Sequence, residues 1–435
     1  MHSKTLCRVT AATAAAATVA LLGGCAVSNG ATAGENVGSF DPDEKVTITF
    51  AWWGSEARTQ ITQAAIDAFE EEYPNITVET QTSDFGSYWD MLATQVAAGD
   101  APDLITMGGS YPSEYASRGA LLDLDTVSDY IDTSKLADGS LDLGNHDGVQ
   151  YTLPAGINAL ATFLNPAVFQ AAGVDLPDTD EWTWDDYAAV ATEISQKTAD
   201  GTYGTVPFAN TSGLDAWIRQ HGEETYSEDG ESVAASADTI EGWFQLWLDA
   251  QKSGATPGAS IFVEDSTAVQ EQSLFGTQRA AMMFGWSNYK TDTVSDDIVV
   301  ANLPGESEEP GNRIGASMEY AISSSSEHPE ATALLIDFLI NNTATVDAIG
   351  NDRGMPANEE LRAHLRDSLT PAQQKEVDLL DIVTASGSGA KTPPPQGASA
   401  ASDILTRLMQ DVLFERTTPA DAATAYISEV EAALK

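Results

Sequence analysis

Apolar and polar residues alternate over 46–50 (Val-Thr-Ile-Thr-Phe) and run into Ala51-Trp52-Trp53-Gly54. That pattern predicts a strand closed by a turn. Ser55 is placed to cap a helix in which Ile61, Ala65, Phe69 and Tyr73 recur every four residues, and Pro74 stops it. A second strand begins at Ile76-Thr77-Val78. Asp84 opens a second helix, with Tyr88, Met91, Leu92, Gln95 and Val96 at helical spacing, and Gly99-Asp100-Ala101-Pro102 ends it. Residues 103–107 form a third strand. Strand, helix, strand, helix, strand with short links predicts a parallel sheet with right-handed crossovers.

The middle of the chain reads similarly. Residues 151–164 predict two strands around Pro154-Ala155-Gly156. Helices are expected at 184–197, 214–221, 239–253 and 267–275, and strands at 280–286, 298–303 and 319–323. A helix covers 329–340. From 358 to 435 the pattern is helical almost throughout, broken by a Gly/Ser/Pro-rich stretch at 385–398. No repeat of solenoid period is present.

The N-terminus differs from everything after it. His2, Lys4 and Arg8 precede an apolar run over 9–22, shorter than the ~20 residues a membrane-spanning helix needs. This is the layout of a secretory signal. Its end, Leu22-Gly23-Gly24-Cys25, resembles a bacterial lipobox, which implies cleavage before Cys25 and lipidation of that cysteine. Residues 1–24 are therefore expected to be a lipoprotein signal peptide. Residues 25–44, rich in Gly, Ala, Ser and Asn, are expected to be a flexible tether. Removal of the signal takes Cys7 with it, so the mature chain has one cysteine, no disulfide and no thiolate metal site.

Sixty-six Asp and Glu stand against 20 Lys and Arg, a formal charge of −46 spread along the chain. This argues against nucleic acid and against resting on anionic lipid, so the membrane would be reached only through the acyl chains. Catalytic patterns are missing. The five histidines are scattered, Gly108-Gly109-Ser110 lacks the rest of a phosphate loop, and no Gly-x-Ser-x-Gly elbow occurs. No cofactor or metal is expected. The informative chemistry is aromatic. Trp53 and Trp286 lie where strands end, and ligands of open α/β sheets bind beyond the carboxyl ends of strands. Indole faces there suit the C–H faces of sugar rings. Trp89, Trp243 and Trp247, inside amphipathic helices, read as core.

With these pieces in order, the chain resembles the family 1 extracellular solute-binding proteins of ABC importers, the group that includes maltose-binding protein. The resemblance rests on 48–54, Tyr88-Trp89 leading to 98–103, 114–116, 119–121, 156–165, Trp182-Thr183-Trp184-Asp185-Asp186, 280–286 and Arg353-Gly354-Met355-Pro356-Ala357-Asn358. It implies an α/β fold of two lobes with a hinge between them. The N-lobe would be 45–155 plus the return segment 312–352, and the C-lobe 156–311 plus the helical tail 353–435, with crossings near 154–164, 311–320 and 351–358. It also implies a ligand site drawn from Trp53, Asp84, Tyr111, Asn210, Trp217, Trp286, Ser317 and Glu319, with Asp84 and Glu319 also readable as a helix cap and a surface acid. The expected role is capture of a mono- or oligosaccharide and delivery to permease subunits, by a monomer lipid-anchored at Cys25 on the extracytoplasmic face of the membrane, without catalysis. Two other readings are a secreted lipoprotein glycoside hydrolase and a receptor of the same fold for a non-sugar solute.

Overall fold

A computed structural model describes residues 42–109, 111–386 and 393–435. The signal, Cys25 and most of the tether lie outside the described residues.

The chain opens with β1 (Val46–Trp53), α1 (Glu56–Glu72), β2 (Ile76–Ser83), α2 (Phe85–Ala98), β3 (Leu104–Met107) and α3 (Tyr111–Ser117). The alternation in β1 buries Val46, Ile48 and Phe50. Ser55 and Asp84 cap α1 and α2 by accepting from Arg58 N and Ser87 N, and Gly99 ends α2 in the left-handed region that its missing Cβ permits. A small hairpin, β4 (Asn145–His146) with β5 (Val149–Gln150), precedes β6 (Thr152–Asn158) and β7 (Leu160–Leu164). Next come α4 (Pro166–Ala172), α5 (Trp184–Lys197), α6 (Thr211–Gln220), α7 (Ala237–Ser253) and α8 (Ala259–Ser266). Strands β8 (Met282–Trp286), β9 (Val299–Ala301) and β10 (Gly315–Ile322) follow. The chain finishes with α9 (Pro329–Asn341), α10 (Thr343–Ile349), α11 (Glu359–Arg366), α12 (Pro371–Ala385), α13 (Ala400–Leu413) and α14 (Pro419–Ala433).

Two sheets organise two lobes. The first runs β2-β1-β3-β10-β6. β1 pairs in parallel with β2 and β3, as the strand–helix repeat predicts, whereas β10 returns antiparallel between β3 and β6. The second is β8-β7-β9, and there the expectation of a similar parallel unit fails: β7 leaves β6 directly and both neighbours pair with it antiparallel. The first sheet packs Ile48, Phe50, Phe69, Ile336 and Phe338 on one face and Ala51, Tyr88, Leu92 and Met107 on the other. The second lobe buries Phe169, Tyr187, Trp243, Trp247 and Phe284 against α13 and α14, so the helical tail closes its core.

The helix expected at 267–275 is absent. α8 ends one residue earlier, and a single 3-10 turn at Gln270–Gln272 replaces the rest. The Asp265 carboxylate takes the Leu274 amide at 2.5 Å, folding the segment back so that Leu274 and Phe275 enter the core between the lobes. Those two residues mimic a helical period while serving a loop.

Candidate functional site

β1 delivers Trp53 to the mouth of its sheet. Its indole meets Phe85, Tyr88 and Trp89 edge-on or tilted, with centroids 5.3–5.5 Å away. Gly108 keeps β3's exit open beside it: a Cβ there would stand 3.2 Å from the Trp53 ring. Trp286 ends β8, in register with Leu160 on β7. It is half-buried against the second lobe's core, and its ring passes Gly315. Trp53 and Trp286 line one cleft of about 370 Å³, with Arg58, Asp352, Asn158 and Ser317 among its other walls. A smaller gap shared by Trp286, Asp215 and Arg313 adjoins it, and Asp215 and Arg313 also line a larger cavity of about 1100 Å³.

The cleft sits on three chain crossings laced together. β6 becomes β7 across Ala159 alone, whose amide and carbonyl bond Ser287. The side chain of Asn312 accepts from Leu160 N and donates to Leu160 O. Ile157 and Met355 exchange both backbone hydrogen bonds. The first and third crossings touch at Gly156, where a Cβ would fall 2.2 Å from the Arg353 carbonyl oxygen. Such short extended connections are where closing domains absorb their rotation.

Residues 53–346 match the family model described as bacterial extracellular solute-binding protein. The chain belongs to this family. A binding protein of Brucella abortus is 22% identical over 377 residues, spanning 85% of this chain and 88% of its own. The family 1 extracellular solute-binding protein of Alicyclobacillus acidocaldarius is 26% identical, with a TM-score of 0.75 over 91% of this chain and 100% of that one. A periplasmic oligogalacturonide binding protein of Yersinia enterocolitica has the same fold, with a TM-score of 0.75 at 20% identity over 89% of this chain and 98% of that one.

In this solute-binding protein the residues singled out from sequence part into two groups. Trp53, Trp286 and Ser317 share the cleft. Ser317 donates its hydroxyl to the Arg353 carbonyl, tying β10 to the third crossing. Tyr111 stands behind Trp53's neighbours, stacked flat on Trp89 at 3.5 Å. Asp84 and Asn210 act as helix caps, accepting from Ser87 and from Ser212 N. The bonds from Ser87 hold the Asp84 carboxyl below its usual pKa. Trp217 packs among Trp184, Trp243 and His221 and donates its indole N–H to the Thr239 carbonyl at 2.9 Å, so it belongs to the second lobe's interior. Glu319 is buried in the first sheet, where it accepts from Thr152; burial pushes its pKa up to about 7. None of Asp84, Tyr111, Asn210, Trp217 and Glu319 lines the cleft holding the two tryptophans.

Four residues at or beside the site were not singled out for it from the sequence. Arg58 and Asp352 meet at 2.6 Å although 294 positions separate them. Arg353 drives its guanidinium into the first lobe, donating to Tyr320 Oη and Thr62 Oγ1 at 2.6 Å each. Buried Glu376, raised to about 7 by desolvation, accepts from Ser287 beside the first crossing. Among the described residues no cluster of three or more His, Cys, Asp or Glu is arranged to hold a metal, and no helix is long and apolar enough to cross a membrane. The cleft offers aromatic faces, amide and hydroxyl groups and one ion pair.

Proposed function

We propose that this protein captures a carbohydrate between Trp53 and Trp286 and delivers it to the permease of an ABC importer. The observation that carries the reading is the pair of indoles, one from each lobe, on a single cleft whose polar lining is Asn158, Asn288, Ser317, the buried Arg353 and the Arg58–Asp352 pair. Stacked sugar C–H faces gain apolar burial, while hydroxyls find amides and a carboxylate. The oligogalacturonide-binding relative in fold supports the same class of ligand. The lobes are taken as 45–155 with 312–352 and 156–311 with 353–435, closing as a monomer around the crossings. The lipobox-like run supports a lipid anchor on Cys25 that holds the protein outside the cell at the membrane. The role is binding without turnover.

A thermal-shift screen against a glycan panel tests it. Ligand at about 100 times its dissociation constant adds ~2.7 kcal/mol to the native state. At least one mono- or oligosaccharide should raise the melting temperature; a rise with amino acids, polyamines or peptides only would assign another solute. Separately, Cys25→Ser should yield protein free of covalent lipid, and membrane-bound lipidated protein from that variant would refute the anchor.

A further inference from the structure

The inner cleft lies in a protein of charge −46, yet its exposed ionic groups are one guanidinium and one carboxylate bound to each other. Arg58 engages all three of its nitrogens, through three of its five N–H donors. Its Nε donates to Asp352 Oδ2 at 2.6 Å, Nη1 to the Trp53 carbonyl at 3.3 Å and Nη2 to the Asp352 carbonyl at 3.3 Å. The arrangement is built into the backbone. Gly54 has φ +152°, and a Cβ on it would stand 2.5 Å from Arg58 Cδ, so only glycine lets the arginine stem lie across the end of β1. Asp352 is held on one oxygen only. Its Oδ1 takes no hydrogen bond from any described residue, and a third of the side chain is exposed at the cleft. The other guanidinium in the lining, Arg353, is buried and turns Nη1 and Nη2 into the first lobe, to Tyr320 and Thr62. Farther along, Arg313 Nη2 reaches Asp215 at 3.4 Å and Glu224 at 3.0 Å.

We propose that Asp352, positioned by Arg58, is the specificity-determining acceptor of this cleft, and that it selects a neutral sugar with free hydroxyls over an acidic one. The inference rests on the carbohydrate reading above and narrows it. A hydroxyl donating to Oδ1 makes a charge-assisted hydrogen bond to an oxygen already aligned by its guanidinium partner. A uronate in the same place meets a fixed carboxylate, and the guanidinium beside it is already paired with that carboxylate, so like charges in the cleft repel. Arg58 acts through Asp352 and is a positioning residue.

Calorimetric titration decides it, with neutral di- and trisaccharides of glucose, galactose, mannose and xylose set against trigalacturonate. The wild-type protein should bind at least one neutral sugar about 100-fold or more tighter than trigalacturonate. Asp352→Asn, with an unchanged melting temperature, should weaken that neutral sugar about tenfold and narrow the gap to trigalacturonate. A monodeoxy analogue lacking the hydroxyl that meets Oδ1 should bind wild type more weakly than the parent sugar and bind Asp352→Asn equally to it, a coupling that a merely structural role would not produce. Trigalacturonate bound as tightly as the neutral sugars overturns the inference and leaves the carbohydrate reading standing. Full affinity and selectivity in Asp352→Asn overturns it too. Binding of no sugar of either charge removes both. The wild-type ratio alone is decisive should the variant fail to fold.

Discussion

Trp286 presents one side to the second lobe's core and the other to the cleft, so removing it separates two contributions. Trp286→Ala should cost on the order of 2 kcal/mol of binding, roughly a thirtyfold rise in dissociation constant, with a modest loss of melting temperature in the free protein. Unchanged affinity in the folded variant would take the residue out of the site. Glu319 makes a different prediction. Burial raises its pKa from 4.5 to about 7 in the folded protein, and Glu376 behaves alike. Between those values the folded state keeps protons that the unfolded chain has released. The stabilisation is therefore complete below about pH 4.5 and lost as pH rises through about 7. The melting temperature should fall between about pH 5 and pH 7, and Glu319→Gln should fall less; an equal slope in both would show that Glu319 contributes nothing. At this scale the sequence was legible where a residue type met a strand end, as at Trp53 and Trp286. It was silent on Arg58 and Asp352, because an ion pair spanning 294 positions leaves no local pattern.

Among elements, the capping residues were the most readable. Ser55 and Asp84 each accept from a backbone N–H in the first turn that follows, and α5 runs Trp184–Lys197 as its periodicity requires. The same short polar side chains at strand ends look like ligand contacts, which is why Asp84 could be read both ways and Asn210, a cap in the structure, was read as a contact. Asp84→Ala should cost ~1 kcal/mol of stability, by loss of the cap, and leave sugar affinity unchanged. A matching loss of affinity would make Asp84 a contact after all. The false helix at 267–275 had apolar spacing but was overruled by the Asp265–Leu274 bond, a tertiary constraint invisible to periodicity. The antiparallel second sheet was hidden for a related reason: strand direction follows from which strands neighbour β7, and no window of sequence contains that information.

The whole molecule combines an acidic surface with a cleft whose exposed ionic groups cancel, on crossings close enough that Gly156 has no room for a side chain. Closure about those crossings should reduce the radius of gyration in solution scattering when a bound sugar is present. An unchanged radius, with binding confirmed, would describe a rigid receptor. Gly156→Ala should push the first and third crossings apart at a cost of ~1–3 kcal/mol. The central claim is that the cleft between the two tryptophans holds a carbohydrate and returns it intact. It is tested most directly by titrating the purified protein with neutral oligosaccharides in a calorimeter and recovering the sugar afterwards by mass spectrometry. One-to-one binding that Trp286→Ala weakens about thirtyfold, with the sugar recovered unchanged, is the predicted result. Sustained appearance of cleavage products, or no binding of any carbohydrate, would contradict it.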